Sequence, residues 1–528
     1  MHTFGTAGLS SQPQQHFNRK PEILGKPNRH GTMADNASRQ QQRQQQQQQQ
    51  QQRPERKQGS SRAPIPMDPV DKARRQMGYR NSWHRKDVDL ASQVRWPEPL
   101  APNPSVAIIG GGMSGLMCAQ ELARLGIKST VFDTGKHGVG GRMATRAGGE
   151  ASLRSGTACS LRQPGKPADQ LGGLRFDHAA QFFTVTDPLF QAHVDRWLAA
   201  GAVQLWEGPV GSLHAPSGAF RLLPPQPRYV ASGGMRALAQ RLAEEVAQEG
   251  GGGGGGAGGR RREALVEIRR PVWVGKMQAV EGRGWELQGE GRSQGVYDAV
   301  VIAHNGKCAN RLVGPTGAPL VAQQLMRLRL NAVWALMVAF DGPLPVPFEG
   351  AFVQGSSVLS WAANNTAKLG LRHTPESLQC WTLFSTNAFG QANKVPQEAI
   401  PADVADKVAT EMLQALKESC VGSGSSSSSS LQWPRPVFTR VQLWGAALPL
   451  NSPGVPCILD PDSRVGVCGD WLSGGSLQAA AVSGITIARR IAGLRGQCGA
   501  EQLAPFRLGL EQPFTPLRGG CDIGEFPK

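Results

Sequence analysis

The chain has 528 residues, room for roughly two to four domains by length alone, and a formal net charge of +17. Just over half of that excess lies in the first 100 residues, where 17 Lys and Arg face 8 Asp and Glu; the remaining 428 carry 40 against 32. So mild a balance, with no basic face interleaved with aromatics, argues against nucleic-acid binding by the folded part, and nine cysteines without a C-x-x-C pair or Cys/His cluster argue against structural zinc and for a reducing compartment.

Residues 1–100 read as a disordered, basic, Gln-rich arm. Glutamines run from Gln40 to Gln52 with only Arg43 between them, and the segment lacks the apolar surface needed to offset the entropy of ordering. Its first 34 residues hold one acidic residue, Glu22, against four basic ones. That balance suits an organellar transit peptide and a solvated extension equally, and Met33 offers a second start.

The stretch "VAIIGGGMSGLMCAQELARLG", Val106 to Gly126, predicts a buried parallel strand, a tight turn and a helix. Gly110, Gly112 and Gly115 follow G-x-G-x-x-G, which permits the turn, close backbone approach to a pyrophosphate, and close helix-strand packing. A diphosphate then sits on the helix N-terminus. Next, "KSTVFD" predicts a second strand ending at Asp133, whose carboxylate can accept from ribose hydroxyls and would repel a 2'-phosphate. "GGRMATR", Gly140 to Arg146, adds two glycines and Arg142, a guanidinium able to pair with phosphate.

Three low-complexity breaks follow, at Gly148–Gly173, Gly250–Gly259 and Gly422–Ser430, and read as surface insertions. Between them "GGMRALAQRLAEEVAQ" has helical periodicity, "GWELQ" with "VYDAVVIAHNG" reads as a hairpin strand and then a buried strand reaching His304 and Asn305, and "PADVADKVATEMLQALKESC" is an amphipathic helix. "LNAVWALMVAF", Leu330 to Phe340, is a buried strand too short to span a bilayer, so no integral membrane segment is expected. Near the end, "RVGVCGDWLSGGSLQAAAVSG" repeats strand, glycine turn and helix.

With G-x-G-x-x-G, an acidic residue and G-G-R in sequence, the chain resembles the flavin-containing amine oxidoreductase superfamily. The likeness extends through "FDHAAQFF", "CGDW" and "LQAAAVSG", over about Pro104 to Ala492, and is nearest the renalase-like branch of plant and algal proteins carrying "TRVQLWGAALP". It implies noncovalent FAD held by Gly110, Gly112, Met113, Ser114, Gly115, Asp133, Gly141, Arg142, Gln181, Gly469, Asp470 and Leu477. The chain departs from the pattern in having Asp133 for the commoner Glu, six residues between Asp133 and Gly140 where five are usual, Gln478 where many relatives have Glu, and no cysteine in "LWGAALP" to tether flavin.

Individual residues keep two readings. Asp470 can accept from ribityl hydroxyls or cap the next helix. The helix from about Ser476 would aim its positive end at the flavin N1 and C2 carbonyl. His178 can touch the flavin ring and relay a proton, or be structural. His304 and Asn305 read as a structural turn. Trp361, Trp381, Phe384, Trp444 and Trp471 can wall a pocket or pack a core, with Trp444 and Trp471 the candidates for facing the ring.

The expected fold is α/β: a discontinuous Rossmann-like FAD-binding domain of glutathione-reductase type from residues 101–185, 261–315 and 461–495, and an α+β substrate domain with a mixed sheet from 186–260 and 316–460, followed by a tail, 496–528. The expected function is FAD-dependent oxidation of a small C–N substrate, an amine or, as the renalase likeness implies, a dihydronicotinamide-like compound, with an NAD(P)H-like donor as a further partner. No metal is expected. Two rivals stand beside it: a flavin desaturase or isomerase of an apolar polyene, and a non-catalytic flavin-binding regulatory protein. The algal and plant likeness points to the chloroplast, with cytoplasm or mitochondrion as alternatives.

Overall fold

A computed structural model describes residues 88–147, 173–248, 264–371, 378–421 and 432–517. The expected arm up to residue 87, the three low-complexity breaks apart from Gly173, and the last eleven residues of the tail lie outside them.

Strand β1 (Ser105–Ile109) enters helix α1 (Met113–Arg124), which returns to β2 (Lys128–Phe132). Both strands are fully buried along most of their length, as the apolar run at Val106–Ile109 dictates. A ribbon of β3 (Thr145–Ala147) and β4 (Arg175–Asp177) follows, then helices α2 (Pro188–Ala199) and α3 (Met235–Gln248). Strands β5 (Val210–His214) and β6 (Ala219–Leu222) lie between those helices. β7 (Val266–Arg269) and β8 (Ala299–Ile302) come next. Then follow β9 (Val333–Phe340), β10 (Gly350–Gln354), β11 (Leu359–Asn364), the short helix α4 (Asn365–Lys368), β12 (Gln379–Ser385), α5 (Ala402–Val421) and β13 (Pro436–Trp444). The chain closes with β14 (Ile458–Asp460), β15 (Val465–Val467) and α6 (Leu477–Gly493).

Six strands form one sheet in the order β14-β15-β8-β1-β2-β7, parallel except for β14. Seven form a mixed sheet in the order β13-β9-β12-β11-β10-β5-β6, with β5 and β10 its one parallel pair. The architecture is α/β, a Rossmann-like sheet assembled from distant segments beside a mixed sheet. α6 reaches the first glycine turn because it crosses α1 at close range: a Cβ on Gly484 would stand 2.1 Å from the Ser114 carbonyl oxygen. α5 lays Val408, Met412 and Leu416 on the face of the mixed sheet that carries Trp381, Leu383, Val441 and Leu443.

Four expectations change. Helices α2 and α3 pack Phe190, Val194, Leu238 and Leu242 against Met113, Leu116 and Met117 of α1, so within 186–260 they cover the nucleotide sheet rather than the mixed one. β14 joins the nucleotide sheet although it precedes residue 461. The expected strand through "VYDAVV" divides at Asp298, whose carboxylate accepts from the backbone N–H and the hydroxyl of Ser105 at 2.7 and 2.8 Å. Residues upstream belong to a hairpin, Gly284–Gly289 with Arg292–Tyr297.

The fourth change concerns the arm, whose last thirteen residues are part of the fold. Leu100 is fully buried, the Val94 N–H donates to the Gly317 carbonyl at 2.7 Å, and Gln93 donates to Asp460 at 2.8 Å. Trp96 donates through Nε1 to the Ser463 carbonyl at 3.0 Å and meets Trp285 edge-on at 5.8 Å. Val88, Val94, Trp96 and Leu100 supply the apolar surface that the average composition of residues 1–100 hides. Trp96→Ala should therefore lower stability by about 2 kcal/mol, read as a shifted urea midpoint. An unchanged midpoint would show that this segment lies outside the cooperative unit.

Candidate functional site

Gly110 ends β1 with φ +122, a conformation that favours glycine, and a Cβ there would stand 2.7 Å from the Ala303 carbonyl oxygen. At Gly115 the conflict is harsher, 1.9 Å from the Gly110 oxygen. Gly112 is the N-cap of α1 and offers no side-chain acceptor, so the donors at Met113 and Ser114 are not claimed by a cap. The Gly140–Arg142 turn lies directly against this one: the Gly140 N–H donates to the Gly111 carbonyl at 2.7 Å, and Gly141 has φ +54. A backbone cradle at a helix N-terminus, kept open by glycines that a methyl group would fill, fits a dinucleotide diphosphate.

Asp133 follows β2 and accepts from the N–H groups of Gly111 and Gly135 at 2.8 and 2.7 Å. One carboxylate thus shapes the turn while retaining lone pairs for a ribose. Arg142 pairs with Asp470 and donates to the Ala447 carbonyl at 2.8 Å. Burial pulls the Arg142 pKa down, but the charge and hydrogen bond of Asp470 outweigh it and hold the pKa above its ordinary value. The first and last strand-turn-helix units therefore meet through this ion pair.

Asp470 does not cap α6, because Ser476 accepts from the Ala479 N–H at 3.0 Å and is the cap itself. Ser483 accepts from the Gly469 N–H at 2.9 Å, tying that helix back to the turn. Leu477 is its first residue. Gln478 accepts from the N–H groups of Thr186 and Asp187 and donates to the Thr186 hydroxyl at 2.9 Å, the last a bond an ionised Glu could not make.

His178 and Gln181 are buried in the segment after β4. Among the described residues His178 Nδ1 and Gln181 Oε1 have no hydrogen-bond partner. Burial, then the positive charges of Arg146, Arg236 and Arg440, push the His178 pKa well below its ordinary value, so its ring is neutral at physiological pH. Trp444 donates to the His178 carbonyl at 2.8 Å, with its ring 5.5 Å from the imidazole. Trp361 and Phe384 pack near Trp206 and Trp444, but Trp381 faces α5 on the opposite side of the mixed sheet. Trp471 stacks on Phe514 at 6.3 Å within the core under the nucleotide sheet. Neither Trp381 nor Trp471 therefore joins the pocket wall. His304, beside Gly110, is pushed down to about 4 by burial and bonds the Asn305 carbonyl at 3.2 Å.

The sequence pattern did not single out Asp177 and Lys368. They form an ion pair at 2.8 Å with both side chains fully buried, and Lys368 also donates to the Gln181 carbonyl at 3.0 Å. Asp177 further accepts from the Thr145 hydroxyl at 2.6 Å and the Met235 N–H at 2.9 Å. The available signal was the polar run "NNTAK" directly after an apolar strand.

Residues 108–197 match the model of an NAD(P)-binding Rossmann-like domain, and residues 168–492 match that of the flavin containing amine oxidoreductases. Among solved structures the chain is similar to a putrescine oxidase (12% identity, 74% of this chain and 98% of that one, TM-score 0.45). It is also similar to the cyclohexylamine oxidase of Brevibacterium oxydans IH-35A (14%, 74% and 99%, TM-score 0.44). A fatty acid isomerase from P. acnes stands at 10%, 74% and 99%, with a TM-score of 0.48. At such identities and TM-scores none of the three bears on substrate.

Two outcomes are expected. Asp470→Asn keeps size and leaves the Ser476 cap intact, yet removes a charge-assisted partner, so FAD affinity should fall roughly 10- to 150-fold with the apoprotein folded; an unchanged flavin titration would free Asp470 from that role. Second, His178, His304 and His193, the last held at about 4 first by burial and then by Arg196, stay neutral in the fold while the unfolded chain protonates near 6.5. The sign follows: their contribution is complete above about pH 6.5 and is lost as pH falls, by up to about 1.4 kcal/mol per unit for each fully buried ring. Urea midpoints at pH 7 and pH 5 should show the drop, and His178→Gln should flatten it.

Proposed function

Because the chain belongs to the flavin containing amine oxidoreductase family, and so is an oxidoreductase with FAD as its cofactor, we propose that it oxidises a small C–N substrate in the renalase-like manner. The substrate would be an amine or a dihydronicotinamide-like compound. The observation that carries this reading is the meeting of Arg142 with Asp470, which brings both halves of the nucleotide pattern to one place beside the glycine cradle. When bound, FAD would supply a hydride acceptor, for the C–H bond next to nitrogen in an amine or for a ring C–H of a dihydronicotinamide, with an imine or a pyridinium as the product.

The chain's own residues bind and orient. Gly110, Gly112 and Gly115 admit the diphosphate, Arg142 offers a bidentate donor to phosphate, and Asp133 and Asp470 offer acceptors to ribose and ribityl hydroxyls. The N-terminus of α6 would direct its dipole at the flavin end that gains charge on reduction. His178, neutral at physiological pH, is a hydrogen-bonding group rather than a proton store, and Trp444 fixes its backbone. Among the described residues no helix is long and apolar enough to cross a membrane.

A noncovalent cofactor is expected. Cys468, two residues before Asp470, is fully buried and burial drives its thiol pKa far up, so it carries no thiolate to attack flavin. Acid precipitation of the yellow protein should leave intact FAD in the supernatant; flavin retained in the pellet contradicts this. Anaerobic mixing with amines and dihydronicotinamides should bleach absorbance near 450 nm, roughly where oxidised flavin absorbs. Bleaching by carotenoid precursors alone would transfer the assignment to the desaturase class.

A further inference from the structure

Beyond the glycine cradle, we propose that Gln181 contacts the flavin ring itself, its side-chain oxygen accepting a hydrogen bond from a ring N–H, and that Lys368 is the residue that positions it. Gln181 follows β4 in a segment held on two sides. The Ala180 N–H donates to the Arg142 carbonyl at 3.0 Å, and Arg142 belongs to the turn that lies against the cradle. From the mixed sheet, Trp444 donates to the His178 carbonyl at 2.8 Å, and the Ala447 carbonyl beyond β13 receives Arg142. A dinucleotide whose diphosphate lies on the N-terminus of α1 and whose ribityl chain reaches Asp470 would run out across this segment.

The amide of Gln181 can face only one way. Its Nε2 donates to the main-chain carbonyl oxygens of Asp177 and Ala179, the latter at 3.3 Å, and since both partners are acceptors a flipped amide would set oxygen against oxygen. Oε1 is therefore the outward atom. The side chain is fully buried, and among the described residues nothing donates to that oxygen, which stays costly until an N–H meets it. Lys368 fixes the rest of the residue. Its ammonium donates to the Gln181 carbonyl at 3.0 Å and to Asp177 Oδ2 at 2.8 Å, with the Trp206 ring centroid 6.0 Å away, so main chain and side chain of Gln181 both hang on one buried ion pair. A flavin ring offers N3–H in either redox state and N5–H only once it is reduced. The bond requires FAD alone, whatever substrate is oxidised.

Both sources of the N–H can be read on the full-length protein. Gln181→Met keeps the length of the side chain and leaves the Asp177–Lys368 pair in place, but carries no strong acceptor. If the donor is N3–H, the apoprotein should bind FAD more tightly than N3-methyl-FAD in a flavin fluorescence titration, and Gln181→Met should narrow that preference about five- to tenfold, the steric cost of the methyl group being unchanged. If it is N5–H, the preference stays and the two-electron midpoint potential of the holoprotein falls, because the reduced form alone loses its bond; a five- to tenfold loss is about 20 to 30 mV. A purely structural loss weakens both flavins and both redox states alike, and moves neither readout. Lys368→Met should reproduce the change made by Gln181→Met; if that variant does not fold, Asp177→Asn/Lys368→Met, which removes both charges together, takes its place. An unchanged preference together with an unchanged potential in Gln181→Met would mean that water or substrate meets Oε1, and would overturn the contact. Wild-type values of both in a folded Lys368 variant would overturn the positioning role. A protein whose readouts move as described, but which oxidises neither amines nor dihydronicotinamides, would uphold the contact and defeat the C–N reading.

Discussion

One residue, Asp177, ties three other parts of the molecule to its own strand. It receives Lys368 from the end of β11 and α4, the Thr145 hydroxyl from β3 and the N–H that starts α3, while its own backbone N–H is taken by Asn365. A fully buried ion pair is stable only when its remaining hydrogen-bonding capacity is satisfied, and here several partners do so. Removing either charge would leave the other uncompensated away from water, a loss of about 3 to 5 kcal/mol. The pair stands directly beside His178 and Gln181, so the geometry of that segment depends on a bond made with the mixed sheet.

The nucleotide side depends on exclusion of side chains. Gly115 lets α1 start almost on top of the Gly110 carbonyl, and Gly484 lets α6 lie on α1. Those two close approaches bring the first and last strand-turn-helix units together, and the Arg142–Asp470 pair is the polar consequence. With a flavin present, each member of that pair would have a chemically better-matched partner under the proposed function: a guanidinium with phosphate, a carboxylate with hydroxyls.

Much of this was legible in the chain. Alternating and continuous apolar runs located β1, β2 and β9, the helical periodicity of residues 235–246 located α3, and the glycine spacing located the cradle. The pairing of Asp177 with Lys368 was not legible, because 191 residues separate the partners and the motif that contains Asp177 says nothing of its distant partner. Nor was the fate of the tryptophans: Trp381 and Phe384 lie three apart on one strand, so the pleat sends them to opposite faces, and only the position of α5 decides which face is closed. Composition averaged over residues 1–100 concealed Trp96 and Leu100 for a related reason, since a few apolar residues with partners count for more than the mean.

What the sequence by itself determined, then, is whatever rests on short-range geometry: a dinucleotide cradle from the glycines, an acidic residue at the end of β2, a helix from about Ser476, and hence an α/β flavin fold. The tertiary structure decided what depends on contacts between distant residues. It put α2 and α3 on the nucleotide sheet, made Asp470 a partner of Arg142 instead of a cap, sent Trp471 into the core, and set His178 beside the buried Asp177–Lys368 pair. Local pattern constrains torsion angles and the face a side chain occupies, whereas charge pairing and burial depend on which surfaces meet, and that is set only when the two sheets pack.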